Sequence, residues 1–274
     1  MSAPQHKFDT RGSLQQITRV SWVIVALIAA LSLAGLLLPE YLYTSEELRA
    51  SARPNDLVNL VVGVPILLGT MALARRDSWL GWLGWPGALL YSAYNYTAYV
   101  FSRSADLFTL AFVVVVVLCG YGVYYLWQHI NKKASRALLA NHAPNQLAGW
   151  VLIAYSVVFS GKALSVLYTA FQAESPIATA DVGVAVADVL LTILLLVGGV
   201  ALLRHDAFGY VSGLGLQFGT VALFVGVILV VAIQPLFTVM AFPLVDVLVL
   251  LGMAVVSFVA FGLYVRAVRH QAAV

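Results

Sequence analysis

The hydrophobic positions of this chain fall into eight long runs that are separated by short polar segments. Each run holds about 20 mostly apolar residues, which is the length that a helix needs to cross a bilayer core. Each run should be helical, because a backbone in lipid can satisfy its hydrogen bonds only within itself. The pattern predicts an all-α polytopic integral membrane protein with spans at 20–38, 56–74, 80–101, 106–127, 147–170, 182–203, 208–233 and 243–265.

The composition excludes several other classes of protein. Of the 274 residues, 62% are hydrophobic and only 10% are charged, whereas a soluble domain carries about 25% charged residues. We therefore expect no nucleic-acid partner, although the net charge is +3. The single cysteine, Cys119, and the five histidines, which lie outside the apolar cores, form no pattern typical of a metal or haem site. The sequence predicts neither a metal nor a cofactor.

The positive charges predict the orientation of the chain. Of the 15 Lys and Arg residues, 11 lie in the two tails and in the loops after the second, fourth and sixth runs, and three lie in the other loops. By the positive-inside rule both termini are cytoplasmic. The six Trp residues lie near the same helix ends, where we expect an interfacial anchor belt against the lipid bilayer.

The two halves of the chain resemble each other in sequence. The matches keep one order: 22–26 with 150–154 at an offset of 128, 69–77 with 198–206 at 129, and Asp106, Gly122 and Tyr124 with Asp246, Gly262 and Tyr264 at 140. An even number of helices in each copy makes the two copies parallel. The predicted organisation is a tail at 1–19, a first four-helix repeat at 20–127, a linker at 128–146, a second repeat at 147–265 and a tail at 266–274.

The second and third runs also resemble a known family. Asp56-Leu-Val-Asn-Leu-Val-Val-Gly-Val-Pro65, the Arg75-Arg76 turn and Tyr91-Ser-Ala-Tyr-Asn-Tyr96 are similar to a family of uncharacterised bacterial multi-pass membrane proteins. The resemblance covers roughly residues 50–127. Arg-Asp stands here in the turn where that family has Arg-Gly. The resemblance implies a bacterial inner-membrane protein and adds no activity.

Four aspartates belong to apolar runs rather than loops, and one lysine lies within a run; a charge there needs a partner or a water-filled cavity. Lys162 lies eight residues before the end of the fifth run, roughly 12 Å, and Asp188 lies six residues into the sixth, roughly 9 Å. Because these runs are sequential and antiparallel, we expect an ion pair between the two side chains. Such a pair can be functional or can serve only to fix the helix register, and the sequence favours neither.

The third run carries the most polar face. Tyr91, Asn95 and Tyr99 are spaced by four and share one side of a helix. The matching positions of the seventh run are largely apolar, as an asymmetric binding pocket requires. For Tyr99, at the outer end, an interfacial aromatic belt is the better interpretation. For Asn95, which lies deeper, we expect a buried hydrogen bond.

Polar residues within the spans concentrate in the predicted outer half, which indicates an outward-facing polar cavity. Our first hypothesis is binding or transport of a small solute or ion. The alternatives are a membrane-embedded enzyme that acts on a lipid-linked or periplasmic substrate with an Asp as base, and a structural or sensory subunit. No nucleotide loop, nucleophile elbow or metalloprotease motif supports the enzyme. The candidate ligand-binding residues are Asp56, Asn59, Tyr91, Asn95, Asp106, Lys162, Asp188 and Asp246.

Overall fold

The computed structural model describes residues 7–8, 11–103, 105–140, 143–172, 179–239 and 241–272. The chain is 89% helical, and the described residues form no strand. The α-helices are α1 (Arg11–Leu37), α2 (Pro39–Leu42), α3 (Glu46–Val58), α4 (Val64–Arg75), α5 (Trp79–Phe101), α6 (Leu107–His129), α7 (Lys132–Leu139), α8 (Asn145–Gln172), α9 (Thr179–Leu203), α10 (Ala207–Ile233) and α11 (Leu244–Ala272). A π-helical turn, Asn59–Gly63, joins α3 to α4, and a 3-10 turn, Gln234–Leu236, follows α10.

Seven helices in the described part of the chain are long and apolar enough to cross a membrane. They are α1, the continuous helix Glu46–Arg75, α6, α8, α9, α10 and α11. The predicted span at 80–101 is also a helix, α5, with 23 residues and no charged side chain. Its length of about 35 Å is sufficient for a crossing. Its many Trp, Tyr and Gly residues give it a lower hydropathy than the other seven.

Helix α5 lies at the centre of the bundle. Seventeen of its 23 residues are buried, and it packs against α4, α6, α9 and α10. Because its surface faces protein more than lipid, its side chains need not be strongly apolar. Burial also corrects the predicted Trp belt, which is wrong for Trp79, Trp82 and Trp85, at most 8% exposed. The Trp residues with high exposure are Trp22 and Trp150, at 49% and 62%.

The second span begins about ten residues earlier than its hydrophobic run. Ser45 starts α3 as an N-cap, because its side chain accepts a hydrogen bond from the Leu48 amide at 3.1 Å. The helix continues through Pro54 to the π turn that precedes Pro65. Proline cannot donate to a carbonyl in the preceding turn, and a π turn accommodates this loss. The irregular turn therefore follows from Pro65.

Two turns between helices have the same backbone geometry. Asp77 follows α4 with φ 56°, and His205 follows α9 with φ 57°. In the first turn the Ser78 amide donates to the Leu73 carbonyl, and in the second the Asp206 amide donates to the Ala201 carbonyl. A left-handed residue that closes a helix in this way allows a short reversal into the next helix. The equivalent residues of the two turns are 128 positions apart.

The N-terminal residues close one end of the bundle, which we call the tail end. Phe8 forms an isolated bridge with Ile130, and its ring stacks on Trp82 at 4.5 Å. The ammonium of Lys7 lies 3.2 Å from the Asp77 carboxylate. The loop after α4, the end of α6 and the chain before α1 therefore meet at the tail end. The opposite end, where α5 is joined to α6, is the cavity end.

Candidate functional site

A cavity of about 430 Å³ lies at the cavity end of the bundle. Side chains from α3, α5, α8, α9, α10 and α11 line it. Ligand sites for small organic molecules have volumes of roughly 300–1,000 Å³ and are mostly apolar with a few convergent polar groups. Its size and its position among six helices make this cavity the candidate functional site.

The cavity has a polar wall and an apolar wall. The polar wall comes from α3 and α5 in the first half of the chain: Ser51, Asn55, Tyr91, Tyr94, Asn95, Tyr99 and Ser102. The apolar wall comes mainly from α8 to α11 in the second half: Val158, Phe159, Val184, Leu223, Phe224, Val227, Val230, Leu250 and Met253. Of the described lining residues, Lys162 is the one that carries a charge. The predicted contrast between the third and seventh spans thus corresponds to the two sides of this cavity.

Lys162 and Asp188 form the predicted ion pair. The ammonium of Lys162 lies 3.1 Å from Oδ2 of Asp188, and the Tyr94 hydroxyl donates to Oδ1 at 2.7 Å. The Asp188 side chain is fully buried, whereas the Lys162 side chain is 54% exposed. Helix α9 therefore holds the carboxylate behind the wall, and the ammonium of α8 reaches the cavity. An ammonium has three N–H donors, so a pair with one carboxylate oxygen leaves donors for a ligand.

Asp56 lies behind the polar wall in a second group of polar side chains. Its carboxylate is 1% exposed and accepts hydrogen bonds from the Tyr43 hydroxyl at 2.6 Å and the Tyr99 hydroxyl at 3.0 Å. Tyr99 is also a lining residue and accepts a bond from the Asn55 amide at 3.1 Å. The expectation that Tyr99 belongs to an aromatic belt is wrong, since it is 5% exposed. Tyr99 instead connects Asp56 to the cavity.

Three further candidates are buried at or near the cavity. Asn95 lines the cavity and donates to the Tyr91 carbonyl at 3.2 Å. Tyr91 also lines it, and among the described atoms its hydroxyl has no hydrogen-bond partner. A Cβ on Gly226 would lie 2.8 Å from that hydroxyl. The absence of a side chain at Gly226 therefore leaves space for the Tyr91 ring. Asn59 is 2% exposed, starts the π turn and lies outside the lining.

The two remaining candidates lie away from the cavity. Asp106 is the N-cap of α6: it accepts a hydrogen bond from the Thr109 amide at 2.8 Å and forms an ion pair with Arg103. Desolvation acts to raise the pKa of Asp106, but the Thr109 hydrogen bonds and the Arg103 charge outweigh it and lower the pKa. Asp246 is exposed in the first turn of α11. Neither residue lines the cavity.

Sequence reasoning did not select Tyr43 or Asn55 for the site. Tyr43 lies just after α2, outside every hydrophobic run, and yet it is 1% exposed. Asn55 precedes the predicted start of the second span, but α3 begins at Glu46 and carries Asn55 to the wall. An N-cap pattern, Ser45 followed by two glutamates, was the available signal for that earlier start.

In the described residues no group of three or more His, Cys, Asp or Glu side chains could hold a metal ion. The cavity combines a hydrogen-bonding side, one cation and an apolar side. Comparison with protein-family models, with characterised proteins and with solved structures found no match for this chain.

Proposed function

We propose that this chain is an integral membrane protein that binds a small amphipathic solute in the cavity and carries it across the membrane. The observation behind this proposal is the division of the cavity into a polar wall from α3 and α5 and an apolar wall from α8 to α11. A solute with a polar head and a short apolar body would satisfy both walls. If the solute were polar throughout, its polar groups would face the apolar wall without hydrogen-bond partners, and this would lower the affinity.

The charge at the cavity favours an anionic head. Lys162 is half exposed, and its partner Asp188 is fully buried. A carboxylate on the solute could therefore reach the ammonium but not the aspartate. The Tyr94 hydroxyl already donates to Asp188, which leaves the Lys162 donors as the charged contact for a ligand. We therefore propose a monocarboxylate with an apolar chain as the ligand class.

The alternatives receive less support from this geometry. An enzyme that uses an aspartate as base needs a carboxylate at the site, and none of the described lining residues is Asp or Glu. The hypothesis of a purely structural subunit does not account for a cavity of about 430 Å³ with a polar and an apolar wall. Binding and transport therefore remain our proposal.

Thermal unfolding of the purified protein in lipid nanodiscs tests the proposal, because a ligand that binds the folded state raises its midpoint. Octanoate should raise the midpoint in a concentration-dependent way. Acetate lacks the apolar body and octylamine carries the opposite charge, so both should raise it much less. Removal of a charge-assisted hydrogen bond costs roughly 1.5–3 kcal/mol, so Lys162→Gln combined with Asp188→Asn should weaken octanoate binding about tenfold or more.

The paired substitution avoids stranding a buried charge, and Lys132→Gln is the matched control. Lys132 is exposed on α7 at the tail end, so its loss should leave octanoate binding unchanged. The proposal fails if octanoate has no effect on the wild type, or if the paired variant binds octanoate as well as the control does.

We also propose that the chain crosses the membrane eight times, with α5 as the eighth crossing. Its 23 uncharged residues are long enough for a crossing, and its neighbours α4, α6, α9 and α10 shield its polar groups. The helices before and after it are among the seven spans that meet the length and hydropathy requirement.

The eight crossings form two parallel repeats in this proposal. The matched turns at Asp77 and His205 support it, and so does the pairing of helices. Helix α5 packs on α4, α6 and α9, and its counterpart α10 packs on α9, α11 and α3. The left-handed residues of the two turns, Asp77 and His205, are 128 positions apart. The sequence match over the same turns has an offset of 129.

The orientation follows from the charge distribution, with both termini cytoplasmic in a bacterial inner membrane. The tail end of the bundle would then face the cytoplasm, and the cavity end would face outward. This orientation and the resemblance to bacterial multi-pass proteins remain parts of the proposal.

A further inference from the structure

A buried carboxyl group stands behind the cavity with no cation beside it. In the described part of the chain no Lys or Arg forms an ion pair with Asp56. The two arginines of α3 are engaged elsewhere: Arg49 donates to the Tyr43 carbonyl at 3.2 Å, and Arg53 lies over the Phe237 ring at 5.0 Å. A charge inside a membrane bundle without a partner is costly and is a mark of function.

The groups around Asp56 are hydroxyls. Tyr43 faces it from the segment after α2, and Tyr96 and Tyr99 face it from α5. Helix α1 contributes Ser32 and the backbone at Gly35. None of these groups carries a positive charge. Within the described residues, no protein group therefore supplies a positive counter-charge to this carboxylate.

The packing leaves little room for a metal cation as that counter-charge. A Cβ on Gly35 would lie 1.9 Å from Oδ2 of Asp56, so the carboxylate lies directly against the backbone of α1. The nearest hydroxyl protons, from Tyr43 and Tyr99, are donated to its two oxygens. Ca²⁺ and Mg²⁺ need about six or more oxygen ligands arranged around the ion, and this carboxylate is packed against a helix backbone on one side. A proton is the cation that this packing accommodates.

Tyr99 has the geometry to pass a proton. Its hydroxyl has one hydrogen and two acceptors within reach: Oδ1 of Asp56 at 3.0 Å and the Ala52 carbonyl at 3.3 Å. With Asp56 ionised, the hydroxyl donates to the carboxylate. With Asp56 protonated, the same hydroxyl can accept from the acid and donate to Ala52. Both protonation states of the carboxyl group are therefore satisfied without movement of a helix.

We propose that Asp56 is a proton-binding site that exchanges its proton with the cavity through Tyr99. The step transfers one proton and no electrons. The Tyr99 oxygen takes a proton from a hydronium ion in the cavity, and the O–H bond that it already had breaks as its hydrogen passes to Oδ1 of Asp56. Water remains in the cavity, and a neutral acid remains behind the wall.

A proton site at this place would couple protonation to the state of the cavity, and this part of the inference rests on the proposed function. Asn55 and Tyr99 both line the cavity, and the Asn55 amide donates a hydrogen bond to the Tyr99 hydroxyl at 3.1 Å. A solute that bonds to Asn55 changes the hydrogen bond that Tyr99 accepts. The strength of the hydrogen bond that Tyr99 donates to Asp56 then depends on whether the cavity is occupied.

Infrared difference spectroscopy of the full chain in nanodiscs tests the proton site, since a protonated carboxylic acid has its own carbonyl band. After a rapid drop in pH, the wild type should show a band that is missing from Asp56→Asn and retained in Asp188→Asn. A band of equal size in wild type and Asp56→Asn would overturn the proposal. Exchange of potassium for sodium should leave the band unchanged, and a loss of the band in sodium would overturn it as well.

Two tyrosine variants test the route and keep the carboxyl group intact. Tyr99→Phe removes the hydroxyl through which this lining residue contacts Asp56, and it should slow the appearance of the band by about a hundredfold or more, the range for a positioned proton donor. Tyr43→Phe removes the donor to the other carboxylate oxygen, outside the lining, and should slow the band much less than Tyr99→Phe does. Equal rates in these two variants would exclude the route through Tyr99.

The same measurement with octanoate present tests the coupling. A change in the size or rate of the band on addition of octanoate supports it, and an unchanged band in a protein that binds octanoate overturns it. If octanoate does not bind, the proposed ligand class fails, while the band of Asp56 still decides the proton site.

Discussion

Gly87 of α5 and Gly215 of α10 meet at the centre of the bundle, 128 residues apart in the chain. A Cβ on Gly87 would lie 2.1 Å from the carbonyl oxygen of Gly215, and a Cβ on Gly215 would lie 2.8 Å from the carbonyl oxygen of Leu83. Backbones approach this closely in membrane bundles only where both helices present small residues. The central crossing of the fold therefore depends on these two glycines.

We predict that Gly87→Ala destabilises the bundle by about 1–3 kcal/mol, the range for overpacking a core. The added methyl group meets backbone, which cannot rotate away as a side chain can. Gly120→Ala is the control, because a Cβ at Gly120 on α6 meets nothing within 4 Å. The unfolding midpoint in nanodiscs measures both. Equal midpoints for the two variants would contradict the close crossing.

The ion pair predicts an unequal response at its two ends. Lys162→Ala leaves the buried carboxylate of Asp188 without its cation and should cost up to about 3–5 kcal/mol. Asp188→Asn leaves an ammonium that is 54% exposed and can reach water in the cavity, so it should cost less. The double variant should recover much of the loss of Lys162→Ala, as chemical denaturation of the three proteins would show. Strict additivity of the two single losses would mean that the residues are not partners.

The proposed crossing of α5 predicts opposite accessibility for the loops at its two ends. Arg76→Cys and Ala105→Cys place single exposed thiols before and after α5, and the native Cys119 is buried. A membrane-impermeant maleimide applied to intact cells should label position 105 and should reach position 76 only after the membrane is opened. Labelling of both positions from one side would show that α5 does not cross.

A reporter fused to the C-terminus tests the orientation independently of α5. We expect cytoplasmic reporter activity, from the distribution of 11 Lys and Arg residues against three. Periplasmic activity at this position would reverse the assignment of the cavity end to the outside.

The cap of α6 predicts a defined pH dependence. The lowered pKa of Asp106 means that its carboxylate stabilises the folded state above the pKa of an unfolded aspartate. This stabilisation is lost as the pH falls through the lower folded-state value. Asp106→Ala should therefore cost about 1 kcal/mol at neutral pH, as loss of an N-cap does. The difference from wild type should narrow in acid, because the protonated side chain loses its attraction to Arg103 and keeps only a neutral acceptor oxygen for the cap.

The matched control for the cap is Asp106→Asn, which keeps an oxygen that can accept from the Thr109 amide. It should remain close to wild type at neutral pH, because Asn and Asp are similar N-caps. Thermal unfolding across a pH series measures all three proteins. A loss from Asp106→Ala that stays constant into acid would contradict the role of the carboxylate.

The helical class and the ion pair were predictable from the sequence for a simple physical reason. Lipid forces long apolar runs into helices, and two charges at equal depth on adjacent antiparallel helices must face each other or water. Lys162 and Asp188 satisfy this argument without any knowledge of the packing. The contrast between polar Asn95 and its apolar counterparts on α10 likewise predicted the two walls of the cavity.

What the sequence did not predict depends on contacts between distant segments. Tyr43 lies outside every hydrophobic run, and its burial against Asp56 follows from the folding back of the segment after α1. The three Trp residues of α5 have the spacing of an interfacial belt, but α5 is central, and only the tertiary arrangement shows this. Asp106 and Asp246 were selected because they belong to predicted spans in the outer half, but Asp106 is the N-cap of α6 and Asp246 is exposed in the first turn of α11.

The burial of α5 has a consequence for how the protein is made. A segment enters the bilayer from the translocon according to its own hydropathy. The hydropathy of α5 is lower than that of the other long helices. Its stable place depends on α4 and α6 on either side, and on α9 and α10, which are synthesised later. We therefore expect the first half of the chain to remain an incomplete assembly until the second half has been inserted, which would make the two halves partners in biogenesis.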